Sequence, residues 1–286
     1  MKGFVVLFIL ISNFCYAQNF RFDKKIYEAV DHWVVFDKQD GDSTYMYGFI
    51  YIDQSAGFTF HFGSRFSVRD GVLVGQQEDL TRIIKSRLSA NTYPVHLLTD
   101  VERQQLKLPV QPDWLKLYKA NENTLLYKKS IGLFYNSVGA SDRAIPILMS
   151  AYDEDPNFAG LVFELAYAYN ATQQYNYAIE VLDKAIQAEP TNFWFYRELG
   201  YAYKLSGDLS RADSIYRKGI SLSNDKAQQA EMGINMVQAY YEKLDRKNFD
   251  EWLKIMRKYA EKGTPIEEYL SQFEGNWPII GSQKED

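Results

Sequence analysis

The chain has 286 residues, a formal charge of −5, 46% hydrophobic and 24% charged residues. That apolar fraction excludes wholesale disorder, 17 Gly and 8 Pro exclude collagen-like chains, and a single Cys excludes an internal disulfide or a Cys-built metal site. A mildly acidic surface repels phosphate backbones, so nucleic acid is not expected as a partner.

At the start, Lys2 precedes an apolar run from Phe4 to Ile11, then polar Ser12 and Asn13, then small Cys15 and Ala17. This order predicts a signal peptide over 1–17, cut between Ala17 and Gln18. The run is too short to span a bilayer, which takes roughly 20 apolar residues. Lipidation at Cys15 is not expected, because Ser12 and Phe14 stand where a lipoprotein signal wants Leu and a small residue. If the peptide is cut, Cys15 leaves with it, and Cys-nucleophile catalysis leaves too. No later segment approaches transmembrane length. The ending Ala17-Gln18 resembles signals common in Bacteroidetes proteins, which implies a periplasmic or secreted protein.

From Tyr27 to Val74 the pattern alternates, as strands do. Strands are predicted at Asp31–Phe36, Tyr45–Ile52, Phe58–Val68 and Val72–Val74, with turns at Asp40-Gly41-Asp42, at Asp53–Gly57 and at Asp70-Gly71. Short turns between alternating strands imply an antiparallel meander. A turn centred near Ser55 puts Ile50 opposite Phe60, Ile52 opposite Phe58, Phe49 opposite His61 and Tyr51 opposite Thr59. Tyr45, Tyr47, Phe49 and Tyr51 then share one face with Thr59, His61 and Arg65. That face is either a second packed layer or an aromatic platform for a glycan or peptide. Gln77 to Leu88 reads as a helix with Leu80, Ile83, Ile84 and Leu88 on one side. Val95–Leu98 reads as a further strand, Thr99 to Glu102 as a capping box, and Asp113 as the cap of a helix through Trp114, Leu117 and Tyr118.

The second half repeats. Windows beginning at Leu125, Ala159 and Phe193 are spaced 34 residues apart. Place eight holds Gly132, Ala166 and Gly200. Place eleven holds Tyr135, Tyr169 and Tyr203. Place twenty holds Ala144, Ala178 and Ala212, and Pro156 and Pro190 close the first two windows. Small residues let paired helices approach, the Tyr fills the gap between turns, and Pro stops the second helix. This pattern resembles the tetratricopeptide repeat (TPR) family. The resemblance implies an all-α superhelix of helix pairs, so the expected fold class is α+β: a small antiparallel meander with helices, then the TPR array. The expected organisation is a signal peptide (1–17), an α+β domain (18–112), a linker helix (113–124), three repeats (125–158, 159–192, 193–226), a degenerate or capping unit (227–263) and a tail (264–286). In the fourth unit Trp252 is read at the place of the small residue. Trp277 and Ile279 are read as docking on the last helix.

The TPR resemblance further implies a concave groove lined by places two, five, nine and twelve of each first helix. Here these are Leu126, Lys129, Leu133 and Asn136, then Gly160, Phe163, Tyr167 and Asn170, then Trp194, Arg197, Tyr201 and Lys204. That aromatic face with a basic margin suits an extended peptide with apolar side chains and a carboxylate. It is not the carboxylate clamp of some TPR proteins, because Leu133, Glu164, Trp194 and Glu198 stand where that clamp wants Asn, Asn, Lys and Arg.

Chemistry is sparse. His32, His61 and His96 form no metal-ligand spacing, and Asp37, Asp40 and Asp42 lack the span and closing Glu of a calcium loop. No phosphate loop, nucleophile elbow or acid–base constellation appears, so no catalytic residue, metal or cofactor is called for. The expectation is a non-enzymatic interaction protein that takes a protein or peptide partner. The alternative is a ligand-binding module built on the sheet face of Tyr45, Tyr47, Phe49, Tyr51 and His61.

Overall fold

Alternating strands must pair, and in the computed structural model they build one antiparallel sheet. It contains β1 (His32–Phe36), β2 (Tyr45–Asp53), β3 (Gly57–Arg69), β4 (Val72–Gly75), β5 (Lys85–Arg87) and β6 (Val95–Leu97) in the order β4-β3-β2-β1-β6, with β5 also on β3. The structure describes residues 20–76, 83–260 and 263–277. The expected signal peptide, the first part of the expected helix over 77–88 and Ile279 lie outside those residues. The chain divides into two units, Met1–Glu122 and Asn123–Asp286.

In the first unit the predicted register holds: Ile50 faces Phe60, Ile52 faces Phe58, Phe49 faces His61 and Tyr51 faces Thr59. A bulge then interrupts the ladder. Tyr47 pairs with Ser64 but Gly48 pairs with Phe62, so Gly63 is the extra residue. The phase of β3 flips there. Ser64 and Phe66 join the tyrosine face, and Arg65 goes to the side of Met46, contrary to the alternation read from the sequence. Gly48 is required at this point, because a Cβ would lie 2.2 Å from the carbonyl oxygen of His61 and 2.5 Å from the Phe60 ring.

The expected helix over 77–88 is overturned for its described part. Lys85–Arg87 pairs antiparallel with Thr59–His61, and the ladder runs on through Phe62 N–H to Ile84 O and Leu88 N–H to Phe58 O. β4 covers only Phe66–Arg69 of the long strand β3. The remaining edge of β3 carries unpaired backbone groups, and pairing them outweighs the helical period of Ile83, Ile84 and Leu88. Ile83 and Ile84 are exposed.

Helix α1 (Asp100–Gln105) begins with the expected capping box of Thr99 and Glu102. The Glu102 carboxylate also meets His96 Nε2 at 3.0 Å. Helix α2 (Leu115–Lys119) follows, but its cap is Trp114, with no side-chain cap bond, rather than Asp113.

The second unit is helical: α3 (Leu125–Ser137), α4 (Ser141–Glu154), α5 (Leu161–Ala171), α6 (Tyr175–Ala188), α7 (Phe193–Leu205), α8 (Leu209–Leu222), α9 (Lys226–Glu242), α10 (Arg246–Met256) and α11 (Pro265–Gly275). Asn192, Asp208, Asp225, Asp245 and Thr264 accept first-turn backbone N–H groups and start their helices. Each hairpin turns the same way. The N–H of Ala140, Gln174, Asp208 and Asp245 donates to the carbonyl of Tyr135, Tyr169, Tyr203 and Tyr240, at 2.8–3.0 Å. The residue before each donor has positive φ: Gly139, Gln173, Gly207 and Leu244.

That shared turn re-aligns the fourth pair. Tyr240 is its place-eleven tyrosine, 37 residues after Tyr203 instead of 34. Place eight becomes Val237, and place twenty becomes Phe249 rather than Trp252. Two bulky residues now sit where small ones belong, so the close approach moves one turn away. There a Cβ on Gly233 would lie 1.8 Å from Met256 Sδ. In the earlier pairs the small place-eight residue makes this approach itself, Gly132 onto Leu148 and Gly200 onto Tyr216. Trp252 is fully buried, and its indole N–H donates to Asp213 on α8 at 2.6 Å. Asp213 also accepts from Tyr240 (3.1 Å) and Arg217 (2.5 Å). Trp277 packs against Tyr241 and Phe249, with ring centroids 5.6 and 4.5 Å away.

Two outcomes test this account. Gly48→Ala should cost about 3 kcal/mol in urea unfolding, because β2 and β3 must separate to admit the methyl. Asp213→Ala should cost about 2 kcal/mol, because it strands the buried indole and phenol donors. Asp213→Asn should recover part of that loss.

Candidate partner-binding site

The first helices of successive pairs lie side by side, α3 on α5, α5 on α7 and α7 on α9. The tie between them is a repeated side chain. Asn136 Nδ2 donates to the backbone carbonyl and the carboxylate of Glu164, both at 3.0 Å. Asn170 does the same to Glu198, at 3.1 and 3.0 Å. Both asparagines are buried. These two expected groove residues therefore hold neighbouring helices together. The third place-twelve residue, Lys204, donates instead to Asn235 (2.8 Å) and Gln238 (3.3 Å) on α9.

The aromatic candidates converge. Phe163 and Trp194 meet edge to face, with centroids 5.4 Å apart, and the Arg197 guanidinium lies 5.1 Å over Trp194 and 5.8 Å from Phe163. All three are half-buried, while Leu126, Leu133 and Tyr167 are exposed. Tyr201 is half-buried beside Tyr167. Apolar side chains of α3, α5 and α7 thus share the first-helix strip, and Arg197 lies against the aromatic pair of α5 and α7.

The basic margin is already engaged. Lys129 Nζ donates to the carbonyl of Ala159 at 3.1 Å. Arg197 donates to Gln228 at 2.7 Å and sits 3.3 Å from Glu198 and 3.4 Å from Glu231. Lys204 is spoken for on α9, and burial lowers its pKa. The expected open cations for a carboxylate are thus each held by an acceptor of the protein.

Two acids stand beside the expected groove places. Glu198 is 4% exposed, and desolvation raises its pKa against the opposing pull of Arg197 and Asn170. Glu164 is raised by the same cause, with Asn136 and Lys129 opposing. Their signal lies in the repeat itself: both stand at place six, 34 residues apart, one turn before a place-nine tyrosine. Burial also raises the Tyr201 phenol.

The sheet platform is roofed over. Phe49 and Tyr51 are fully buried beneath Leu115, Trp114 and Tyr118. Trp114 stacks on His61 with centroids 4.4 Å apart. Burial, then the nearby Lys85, lowers the His61 pKa. Tyr47 packs with Val35, Phe66 and Leu73, under Leu98, Leu106 and Leu108. Tyr45 stays half-buried, with the Lys38 ammonium 4.5 Å over its ring. Phe49, Tyr51 and Tyr47 of the tyrosine face are therefore core, covered by the segment after β6, and Tyr45 alone of the four is half-buried.

Two family models match the second unit: "TPR repeat" over residues 155–207 and "Tetratricopeptide repeat" over residues 196–226. The chain thus carries tetratricopeptide repeats, a fold typical of protein–protein interaction scaffolds. Among solved structures it is similar to MamA, with 25% identity, 56% of this chain and 87% of that one covered, and a TM-score of 0.44. It is also similar to TTC0263, a thermophilic TPR protein of Thermus thermophilus, with 15% identity, 56% and 86% covered, and a TM-score of 0.46. MamA from Desulfovibrio magneticus RS-1 follows, with 19% identity, 52% and 85% covered, and a TM-score of 0.41. No curated protein matches the chain.

A pH dependence follows from Glu198. Its folded-state pKa lies above the ordinary 4.5, so the folded protein holds this proton more tightly than the unfolded chain does. The resulting stabilisation is fully present below pH 4.5 and is lost as pH rises through the folded value. Glu198→Gln should therefore flatten the decline in melting temperature on the alkaline side of that point. An unchanged slope would show that Glu198 is ordinary in the folded state.

Proposed function

We propose that the protein is an exported, non-enzymatic TPR protein that holds an extended segment of a protein partner across the first-helix face of its repeats. The observation that supports this most is the Phe163–Trp194–Arg197 cluster, an aromatic and Arg anchor of the kind that dominates interface energetics. Exposed Leu126 and Leu133 on α3 and Tyr167 on α5 add apolar side chains to the same first-helix strip. Such a strip across neighbouring helices fits an extended peptide with apolar side chains. No helix among the described residues is long and apolar enough to cross a membrane. Export rests on the signal-like pattern of residues 1–17, and it places the partner in the periplasm or outside the cell.

Affinity capture with the natural protein from envelope extracts should retain a partner. Phe163→Ala with Trp194→Ala should weaken that capture by roughly 2 kcal/mol or more. Arg197 is left in place because it also neutralises buried Glu198. Partners retained in full by the double variant would overturn the groove as the site. The mature N-terminus, read by mass spectrometry of protein from its native cells, should be Gln18. A chain that keeps residues 1–17 would overturn export.

A further inference from the structure

A cavity of about 200 Å³ opens between α5, α7, α8 and α9. It is smaller than the roughly 300–1,000 Å³ of a metabolite site and is sized for one side chain. Tyr167 and Tyr201 flank it with Glu231, and Tyr167 and the Glu231 side chain are exposed at its mouth. Its inner wall is Asn170, Glu198 and Tyr216, all buried. Two buried polar atoms of those residues, Asn170 Oδ1 and the Tyr216 hydroxyl, have no hydrogen-bond partner among the described residues. Both can accept a hydrogen bond, and burying an acceptor unpaired is costly.

The charges favour a cation. Two carboxylates, Glu198 and Glu231, face one guanidinium, that of Arg197. The Arg197 guanidinium is held by Glu198, Glu231 and Gln228. Lys204 is turned to Asn235 and Gln238. Among the lining side chains carboxylates outnumber guanidinium groups and acceptors are left over, between two phenol rings whose faces attract cations. A carboxylate from a ligand would be placed against two carboxylates, Glu198 and Glu231, and one guanidinium that already pairs with both.

We propose that this cavity takes the charged end of one lysine or arginine side chain of the bound partner segment. The proposal rests on the groove reading above and sets the partner's chemistry: a basic residue among apolar ones, rather than the acidic residue the sequence suggested. The aliphatic stem would lie between Tyr167 and Tyr201, and the cation would reach Glu231 and Glu198.

The test uses matched small probes on the full-length protein with isotope-labelled tyrosine. Nα-acetyl-lysine amide should produce saturable NMR shifts at Tyr167 and Tyr201. Nα-acetyl-norleucine amide and Nα-acetyl-glutamate amide, which differ from it only in the end group and its stem, should not. Glu231→Gln, a surface change that leaves the helices intact, should weaken the lysine probe roughly tenfold. Glu198→Gln, which keeps an acceptor for Asn170, should weaken it as well. The proposal is overturned if the lysine probe gives no saturable shift, if norleucine or glutamate probes match it, or if Glu231→Gln leaves it unchanged. Failure here with partner capture still dependent on Phe163 and Trp194 would leave the groove standing and remove only the basic anchor.

Discussion

The amide of Asn170 donates to both the backbone and the carboxylate of Glu198, 28 residues on, and the second unit is organised around that contact. It ties α5 to α7 beside the Phe163–Trp194 contact. It also buries a carboxylate, which then needs a cation, and Arg197 is the neighbour that supplies it. Holding Arg197 there puts its guanidinium over Trp194 and Phe163. The same tie at Asn136 and Glu164 sets the spacing of α3 and α5. It stops at Lys204, and there the next helix begins a turn early and the hairpin packs differently.

That change at the fourth pair follows from bulk. Where place eight is Gly or Ala, the two helices of a hairpin touch close to their turn. With Val237 and Phe249 near the turn, contact retreats to Gly233 and Met256. Trp252 then meets α8 through Asp213, which binds three donors from α8, α9 and α10. The last hairpin is thus held by a polar hub where the earlier ones rely on small-residue approach, and Trp277 covers its outer aromatic side.

In the first unit one inserted residue decides what the sheet presents. The bulge at Gly63 turns Arg65 away from the tyrosine face and brings Phe66 onto it. A largely aromatic layer results, and Trp114 and Tyr118 at α2 close part of it. Alternation along β2 matches the structure because no insertion falls in that strand. Alternation along β3 breaks down past His61, because a bulge leaves no mark in a pattern of period two beyond a glycine. The strand at Lys85–Arg87 is equally hidden: its partner is the unpaired edge of β3, and local periodicity carries no information about a vacant edge.

The repeat, the strand register at the Asp53–Gly57 turn and the aromatic candidates on the first-helix face were all legible from the chain alone. Each of these depends on spacing between residues, and spacing is what a sequence records. Packing settled which candidates are free. It buried Asn136 and Asn170 as ties, engaged Lys129, Arg197 and Lys204, closed the sheet face, and brought Glu198, Glu231 and Tyr216 to one cavity. The reason is physical: whether a polar side chain binds a partner depends on which groups of its own protein reach it first, and those come from helices 28 to 34 residues away.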